Sequence, residues 1–286
     1  MGLDALALVL AAAVLHAVWN LAAKQVPADG VAFVYLYVVG SAALWLPVAV
    51  VWVLATHERP AWSWLVAALV TAVLHIAYQL VLQGGYERGD LNLVYPLARG
   101  TGPLVTFVVA VTVLGEHPGP TAVAGVLAVV AGVLLISLGG PRRGGSTRAG
   151  VVWGVATGIA IAAYTLWDSH AVTELGVPPL PYFVLGLVLQ LPAMTVVLGR
   201  DRTQLASVWA RHRRQVLVVA VLSPMAYVLV LCAMQLAPVA LVAAARESSI
   251  VVGAVLGWLL LREPAPGRRL VGAVVVLVGI VGIVLG

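Results

Sequence analysis

Two arginines lie where a membrane-spanning segment would ordinarily carry none. Arg99 stands in VYPLARGTGP (94–103), inside a run from Leu91 to Leu114 that has no other formal charge. Arg246 stands in LVAAARESSIVVGAVLGWLLL (241–261). A charge near the centre of a bilayer costs at least about 2.5 kcal/mol, so such a residue normally faces a bundle interior or a water-filled cavity. Two guanidinium groups placed there supply the chemistry of anion recognition, because each is a planar, permanently charged donor fork that fits a carboxylate or a phosphonate. The competing role is a structural clamp on helix carbonyls, or on a carboxylate such as Glu247 or Asp168. Glu247 follows Arg246 directly, which sets the two side chains about 100° apart on a helix and makes them poor partners for each other.

Other polar side chains fall at helical spacing. His16, Trp19 and Asn20 in HAVWN share one face by the i, i+3, i+4 rule. Tyr164, Trp167 and Asp168 repeat that face later in the chain. His75, Tyr78, Gln79 and Gln83 form a third stripe, with Ser223 and Tyr227 in the corresponding later segment, and Tyr95 lies one turn before Arg99. Each has an ordinary alternative: tryptophan and tyrosine mark membrane interfaces, and polar side chains hydrogen-bond helices together. Catalytic patterns are absent. The sequence holds no HExxH, no nucleotide-binding loop and no GxSxG. Asp168 and His170, two residues apart, do not share a helix face. Cys232 is the single cysteine, so neither an internal disulfide nor a cysteine-based metal site is available. No cofactor and no metal are expected.

The elements that must hold these groups follow from composition. Of 286 residues, 62% are hydrophobic and 9% charged, and the mean hydropathy is +1.07. A soluble domain needs more charge than that to cover its surface. The apolar residues come in runs of about 20, the length that crosses a hydrocarbon core. Ten helices are predicted, near 3–23, 31–55, 62–83, 91–114, 119–138, 150–170, 181–199, 215–235, 239–261 and 268–285. The reading is an all-α integral membrane protein, since backbone groups in lipid must be satisfied within the segment. A β-barrel would instead show alternating stretches of about ten residues. The first run carries Asp4 in place of a basic leader region, so it is read as a span and not as a signal peptide. The sequence pI of 9.7 reflects arginines in short loops, which speak of membrane orientation and not of nucleic acid.

The chain also repeats itself. Shifting the first half by 147 brings Ala98-Arg99 onto Ala245-Arg246, Glu116 onto Glu263, Gly125 onto Gly272 and Gly132 onto Gly279. A shift of 148 near the start brings His16 onto Tyr164, Trp19 onto Trp167 and Asn20 onto Asp168. The two opening arginines are therefore one repeated position. Residues 1–140 form a first five-helix repeat, 141–149 a linker and 150–286 a second repeat. An odd helix number makes the second copy enter from the opposite face, which gives ten transmembrane helices as two inverted repeats. Eight and seven residues into their spans, Arg99 and Arg246 lie about 12 Å and about 10 Å from opposite faces, close to a common midplane. The glycine pairs, each i, i+7, allow close helix approach within the chain or across a dimer.

If the side holding the N-terminus is called A and the other B, side B collects thirteen of the lysines and arginines and side A only Arg59, with Arg99 and Arg246 inside. The positive-inside rule then puts side B in the cytoplasm and both termini outside. WARHRRQ (209–215) reads as part of a topology-fixing loop, or one that meets anionic lipid.

The chain resembles the drug/metabolite transporter superfamily, in its ten-helix EamA-type branch. The likeness rests on the Trp19-Asn20 pair followed by Lys24, on LGE (114–116) after the fourth run with its counterpart LRE (261–263), and on the Gly102-Pro103 step. It covers essentially the whole chain. The resemblance implies a pathway between two five-helix bundles, lined by helices one, three, four, six, eight and nine, with five and ten packed outside. Members of the family move amino acids, other metabolites and drugs, many by export, and some chains that open with a similar first helix are linked to phosphonate use. Two features depart from the family pattern. Family members commonly have cytoplasmic termini, whereas the basic residues here sit on the opposite side, and Pro103 has Ile250 as its counterpart.

The expected function is a secondary transporter in the cell membrane, working by alternating access on a small carboxylate-, amino-acid- or phosphonate-like metabolite. Arg99 and Arg246 would supply the positive potential, with Tyr95, His16, Trp19, Asn20, Tyr78, Gln79, Tyr164, Trp167, Asp168, Tyr227 and Glu247 shaping the site. A coupling proton or ion is compatible with Asp168, Glu247 or a histidine, and the chain works as a monomer or a homodimer. The alternatives are an intramembrane enzyme acting on a lipid-linked substrate and a multidrug exporter of the same fold. The first helix lacks the glutamate on which the superfamily's small multidrug members rely, which argues against the second.

Overall fold

Apolar runs fold here into helices because a helix satisfies its own backbone. The computed structural model describes residues 1–26, 30–89, 91–137, 146–199, 202–261 and 267–286. Among these are α1 Leu3–Lys24, α2 Gly30–Thr56, α3 Trp62–Arg88, α4 Leu91–Thr112, α5 Pro120–Ser137, α6 Thr147–Thr173, α7 Pro179–Leu198, α8 Thr203–Met234, α9 Val239–Ala245, α10 Ser248–Leu261 and α11 Gly267–Leu285. The described residues form no strand. Among the described residues eight stretches are long and apolar enough to cross a membrane, and Pro120–Ile136 and Leu270–Leu285 are shorter apolar helices. The protein is a multi-pass, all-helical membrane protein.

Most packing runs between the halves. α5 lies against α11 and α2 against α7. α4 packs on α6 as α1 packs on α9–α10, α3 on α6 as α1 on α8, and α3 on α7 as α2 on α8. Exchanging each helix for its counterpart in the other half leaves this set of neighbours unchanged, which is the signature of a pseudo-two-fold axis. The glycine pairs obey it. A Cβ on Gly125 would sit 2.5 Å from the Gly279 carbonyl oxygen, and one on Gly132 would sit 2.7 Å from that of Gly272. These glycines serve packing within one chain.

Three boundaries differ from the sequence expectation. α8 begins at Thr203, not near 215, and bends at His212 (φ −125°, ψ 20°). Its first part, including most of WARHRRQ, is helix and not loop, because Leu205 and Val208 pack with Ala32 and Phe33. α6 starts at Thr147, inside the expected linker, where the Ser146 hydroxyl accepts from the Ala149 amide at 3.3 Å. The ninth run is not one helix. It tightens at Arg246–Glu247, where the Glu247, Ser249 and Ile250 amides reach back three residues, to Ala244, Arg246 and Glu247, at 2.9–3.2 Å. Glu263 and the core of the linker, 141–145, lie outside the described residues.

Candidate functional site

The site grows from that tightened turn. α9 is buried at every position, and six of its seven residues are alanine or valine. Its amino end is held by the other half. Gly115 turns the chain after α4 at φ 70°, and Glu116 then accepts the Val239 and Ala240 amides at 2.7 and 3.2 Å. At its carboxyl end four polar residues follow in a row, Arg246, Glu247, Ser248 and Ser249, all buried.

Arg99 approaches this turn from α4. Its Nε lies 2.9 Å from Glu247 Oε2, with the two side chains 12% and 2% exposed. Its Nη2 donates to the Ser249 hydroxyl at 3.1 Å. The Arg99–Glu247 contact is an ion pair without hydrogen-bond alignment, since Arg99 Nε and Glu247 Oε2 both remain without a hydrogen-bond partner. The carboxylate next in sequence to Arg246 thus pairs with the arginine of the opposite half. Arg246, 7% exposed, has an unpartnered Nε, and Ser248 Oγ and Trp19 Nε1 are likewise buried and unpartnered. Tyr164, Glu247, Tyr227 and Arg99 lie within electrostatic reach of Arg246, and His16 within reach of both arginines. The structure brings the two guanidinium groups into one buried neighbourhood.

α1 supplies its edge. His16 and Trp19 meet edge to face at 4.8 Å. Asn20 is exposed and donates to the His16 carbonyl at 2.8 Å. On the α4 side Tyr95 is 41% exposed and electrostatically close to Arg99.

A second cluster surrounds Asp168, which has no solvent exposure. Thr71 of α3 and Tyr182 of α7 each donate to Oδ1 at 2.6 Å. Tyr227 of α8 donates to Oδ2. A carboxylate that accepts three hydroxyls is a well-satisfied buried anion. His75 Nδ1 lies 3.0 Å from the Thr71 hydroxyl. The His75 ring stacks on Tyr164 at 4.3 Å, and Tyr78 meets Tyr164 edge-on at 5.5 Å. Gln79 is half-buried beside Tyr78. Tyr164 and Tyr78 lie within electrostatic reach of Arg99, and Tyr164 and Tyr227 within reach of Arg246. Trp167 turns toward α3, donating from Nε1 to the Ala67 carbonyl at 3.1 Å, and so ties the halves together.

Sequence reasoning missed Thr71, Tyr182, Ser249 and the capping role of Glu116. Thr71 is i−4 from His75 and extends its stripe, a signal that was there to find. Tyr182, three residues into α7, looks like an ordinary interfacial aromatic.

Comparison with known families matches the profile described as "EamA-like transporter family" over residues 4–138 and again over 148–285. Comparison with curated proteins finds no match. A solved structure described as "Crystal structure of protein" aligns over 100% of this chain and 98% of its own with a TM-score of 0.79 at 16% identity. At that identity the likeness shows the fold alone.

Proposed function

We propose, because this chain belongs to the EamA-like transporter family, that it carries a small carboxylate-, amino-acid- or phosphonate-like metabolite between Arg99 and Arg246 by alternating access. The family makes it a membrane transporter of the drug/metabolite type. One observation carries the substrate class: two guanidinium groups share one buried neighbourhood, where Arg246 Nε and Ser248 Oγ have no hydrogen-bond partner. Buried donors without partners are costly unless an acceptor meets them. Arg99⁺, Arg246⁺ and Glu247⁻ leave one net positive charge. A monoanion balances it. A zwitterion also fits, with its carboxylate on the arginines and its ammonium on Glu247.

The architecture behind the reading is ten spans in two inverted five-helix repeats, with α9 and α10 as one interrupted span in the cell membrane. Such repeats rock about a site near the midplane, and interrupted helices commonly form that site. Exposure supports one closed end. Toward side B, Asn20, Gln83, Tyr86 and Tyr95 are exposed. Toward side A, Trp64, Thr71, Asp168 and Tyr182 are buried. With side B in the cytoplasm, as the basic residues argue, the conformation is shut to the outside.

The test is uptake and efflux in reconstituted vesicles, together with thermal shifts of the purified chain in L-lactate, L-alanine and methylphosphonate. A bound solute raises the unfolding temperature. Arg99→Ala and Arg246→Ala should each abolish the shift and the transport. Unchanged behaviour in both single variants and the double would sink the reading.

A further inference from the structure

We propose that Asp168 is a proton-binding site, and that its three hydroxyl partners form a gate on side A that stays shut while the carboxylate is ionised. This builds on the carrier reading but rests on a different cluster.

The hub joins four helices at one level. Thr71 lies nine residues into α3, Asp168 five before the end of α6, Tyr182 three into α7 and Tyr227 seven before the end of α8. All four helix ends concerned open on side A. α3 belongs to the first half and the other three to the second, so the Thr71 bond fastens one half to the other. A bond to an ionised carboxylate is roughly twice as strong as a neutral one. When a proton settles on Asp168, its oxygens lose the charge, and one becomes a donor that must find an acceptor. The Tyr227 hydroxyl must then turn to accept from Oδ2, and the bonds from Thr71 and Tyr182 to Oδ1 fall to the strength of neutral ones. The gate loosens where α3 meets α6, α7 and α8.

The repeat shows why an acid stands here. Asn20, the counterpart of Asp168, is exposed and, among the described residues, bonded only to its own helix. A neutral amide meets the structural need there. Asp168 instead completes a charge balance, because Arg99, Arg246, Glu247 and Asp168 are the formal charges inside the bundle among the described residues, two of each sign. A monoanion neutralises the positive charge left at Arg99, Arg246 and Glu247, which leaves Asp168 as the excess negative charge, and a proton on Asp168 removes that excess. Facing Asp168 are His75 from α3, Tyr182 from α7 and Tyr227 from α8, with Tyr164 on its own helix; Tyr164 is in turn within electrostatic reach of Arg99 and Arg246. Of these, His75 reaches it through Thr71, and Tyr227 lies within electrostatic reach of both Asp168 and Arg246.

The experiment reads the gate directly. In the full chain in lipid nanodiscs, with Cys232→Ser, spin labels are placed at Ser63→Cys on α3 and Leu236→Cys after α8, both exposed positions. Distances between them are measured across pH with no anion present. A single short distance at high pH should give way to a longer one on acidification. Asp168→Asn, fixed in the neutral form, should show the longer distance at every pH. Tyr227→Phe, which removes one donor to the ionised form, should move the transition to higher pH. It keeps the proposal open to refutation should Asp168→Asn not fold. A distance independent of pH, an Asp168→Asn variant that responds like the parent, or an unmoved transition in Tyr227→Phe would each overturn the proposal. Because no anion is used, failure here leaves the arginine site standing, and failure of the arginine site leaves this result readable.

Discussion

α4 and α9–α10 occupy equivalent places in the two halves, and each brings an arginine to the centre, yet their backbones solve the problem differently. α4 contains Pro96 and Pro103 and stays one helix. α9–α10 contains no proline after its start and is the one that breaks. Pro103 has no N–H to offer the Arg99 carbonyl four residues back. In the other half the Glu247 and Ser249 amides turn to Ala244 and Arg246, away from the carbonyls of Ala243 and Ala245. Both devices loosen backbone beside the arginine. Only the second also brings a carboxylate, and that carboxylate goes to the first half's arginine. The lesson is that two repeats can share a weakness beside the arginine without sharing the sequence that makes it, and that the asymmetry falls on the side chains that hold charge.

Glu247 is the sharpest point at which to break the comparison. Removing one partner of a buried ion pair leaves an uncompensated charge and costs about 3–5 kcal/mol. Glu247→Ala should therefore lower stability by that order in denaturant unfolding of the detergent-solubilised chain. Adding Arg99→Met should recover most of the loss, while adding Arg246→Met should recover less, because Arg246 is not the paired arginine. Equal recovery by both would mean that the carboxylate serves the two halves alike.

The prolines come next. Ile250 stands where the second half would match Pro103, and its amide donates to the Glu247 carbonyl at 2.9 Å. Ile250→Pro removes that bond and should cost about 3 kcal/mol. Pro103→Ala restores an amide under the Arg99 carbonyl and should leave the unfolding midpoint equal or higher. If Pro103→Ala proves as damaging as Ile250→Pro, α4 depends on its proline and the two devices are not equivalent.

The third contrast lies on the partner helices. Gly158 of α6 lets α4 approach so closely that a Cβ there would sit 2.5 Å from the Thr101 Cβ. Its counterpart in α1, by the offset of 148, is Leu10, which is 39% exposed. Gly158→Leu should overpack the contact and cost about 1–3 kcal/mol or more, whereas Leu10→Ala should change stability by well under about 1 kcal/mol. Thermal melts of the two variants decide whether α4 is truly clasped more tightly than α9–α10.

What was legible in the sequence followed from cost. A charge in an apolar run is expensive enough to show itself, so Arg99, Arg246, Asp168 and Glu247 stood out, and the repeat offset tied the two arginines together. The partners were not legible, because the residue that meets Arg99 lies 148 positions away and helical geometry within one segment says nothing of it. Asp168 was read as a pocket wall. Its surroundings are hydroxyls from three other helices, of which Thr71 and Tyr182 are individually unremarkable. The break at Arg246 carries no glycine or proline to announce it, and the start of α8 is too short an apolar stretch to register as a helix by periodicity. The helices themselves were recovered because lipid leaves the backbone no alternative.

The smallest expected effect concerns the cap. Glu116 of the first half closes the amino end of α9 in the second, and its counterpart Glu263 follows α10. Glu116→Ala removes acceptors for two amides and should cost about 0.5–2 kcal/mol, the range for a lost helix cap. Its charge tells a further story. Partial burial raises the Glu116 carboxyl above its ordinary value of 4.5, against the opposing pull of the Val239 and Ala240 amides. The folded state therefore holds this proton more tightly than the unfolded chain does. The sign follows from linkage: the contribution favours folding at low pH and is lost as pH rises from near 4.5 through the higher folded value. Unfolding midpoints of Glu116→Gln, measured across that window, should lack this slope while retaining most of the cap, since a neutral amide oxygen still accepts. A slope unchanged in Glu116→Gln would place the titrating group elsewhere. A midpoint as low as that of Glu116→Ala would show that the cap needs its charge, and would make this loop an electrostatic link between the halves as well as a hydrogen-bonded one.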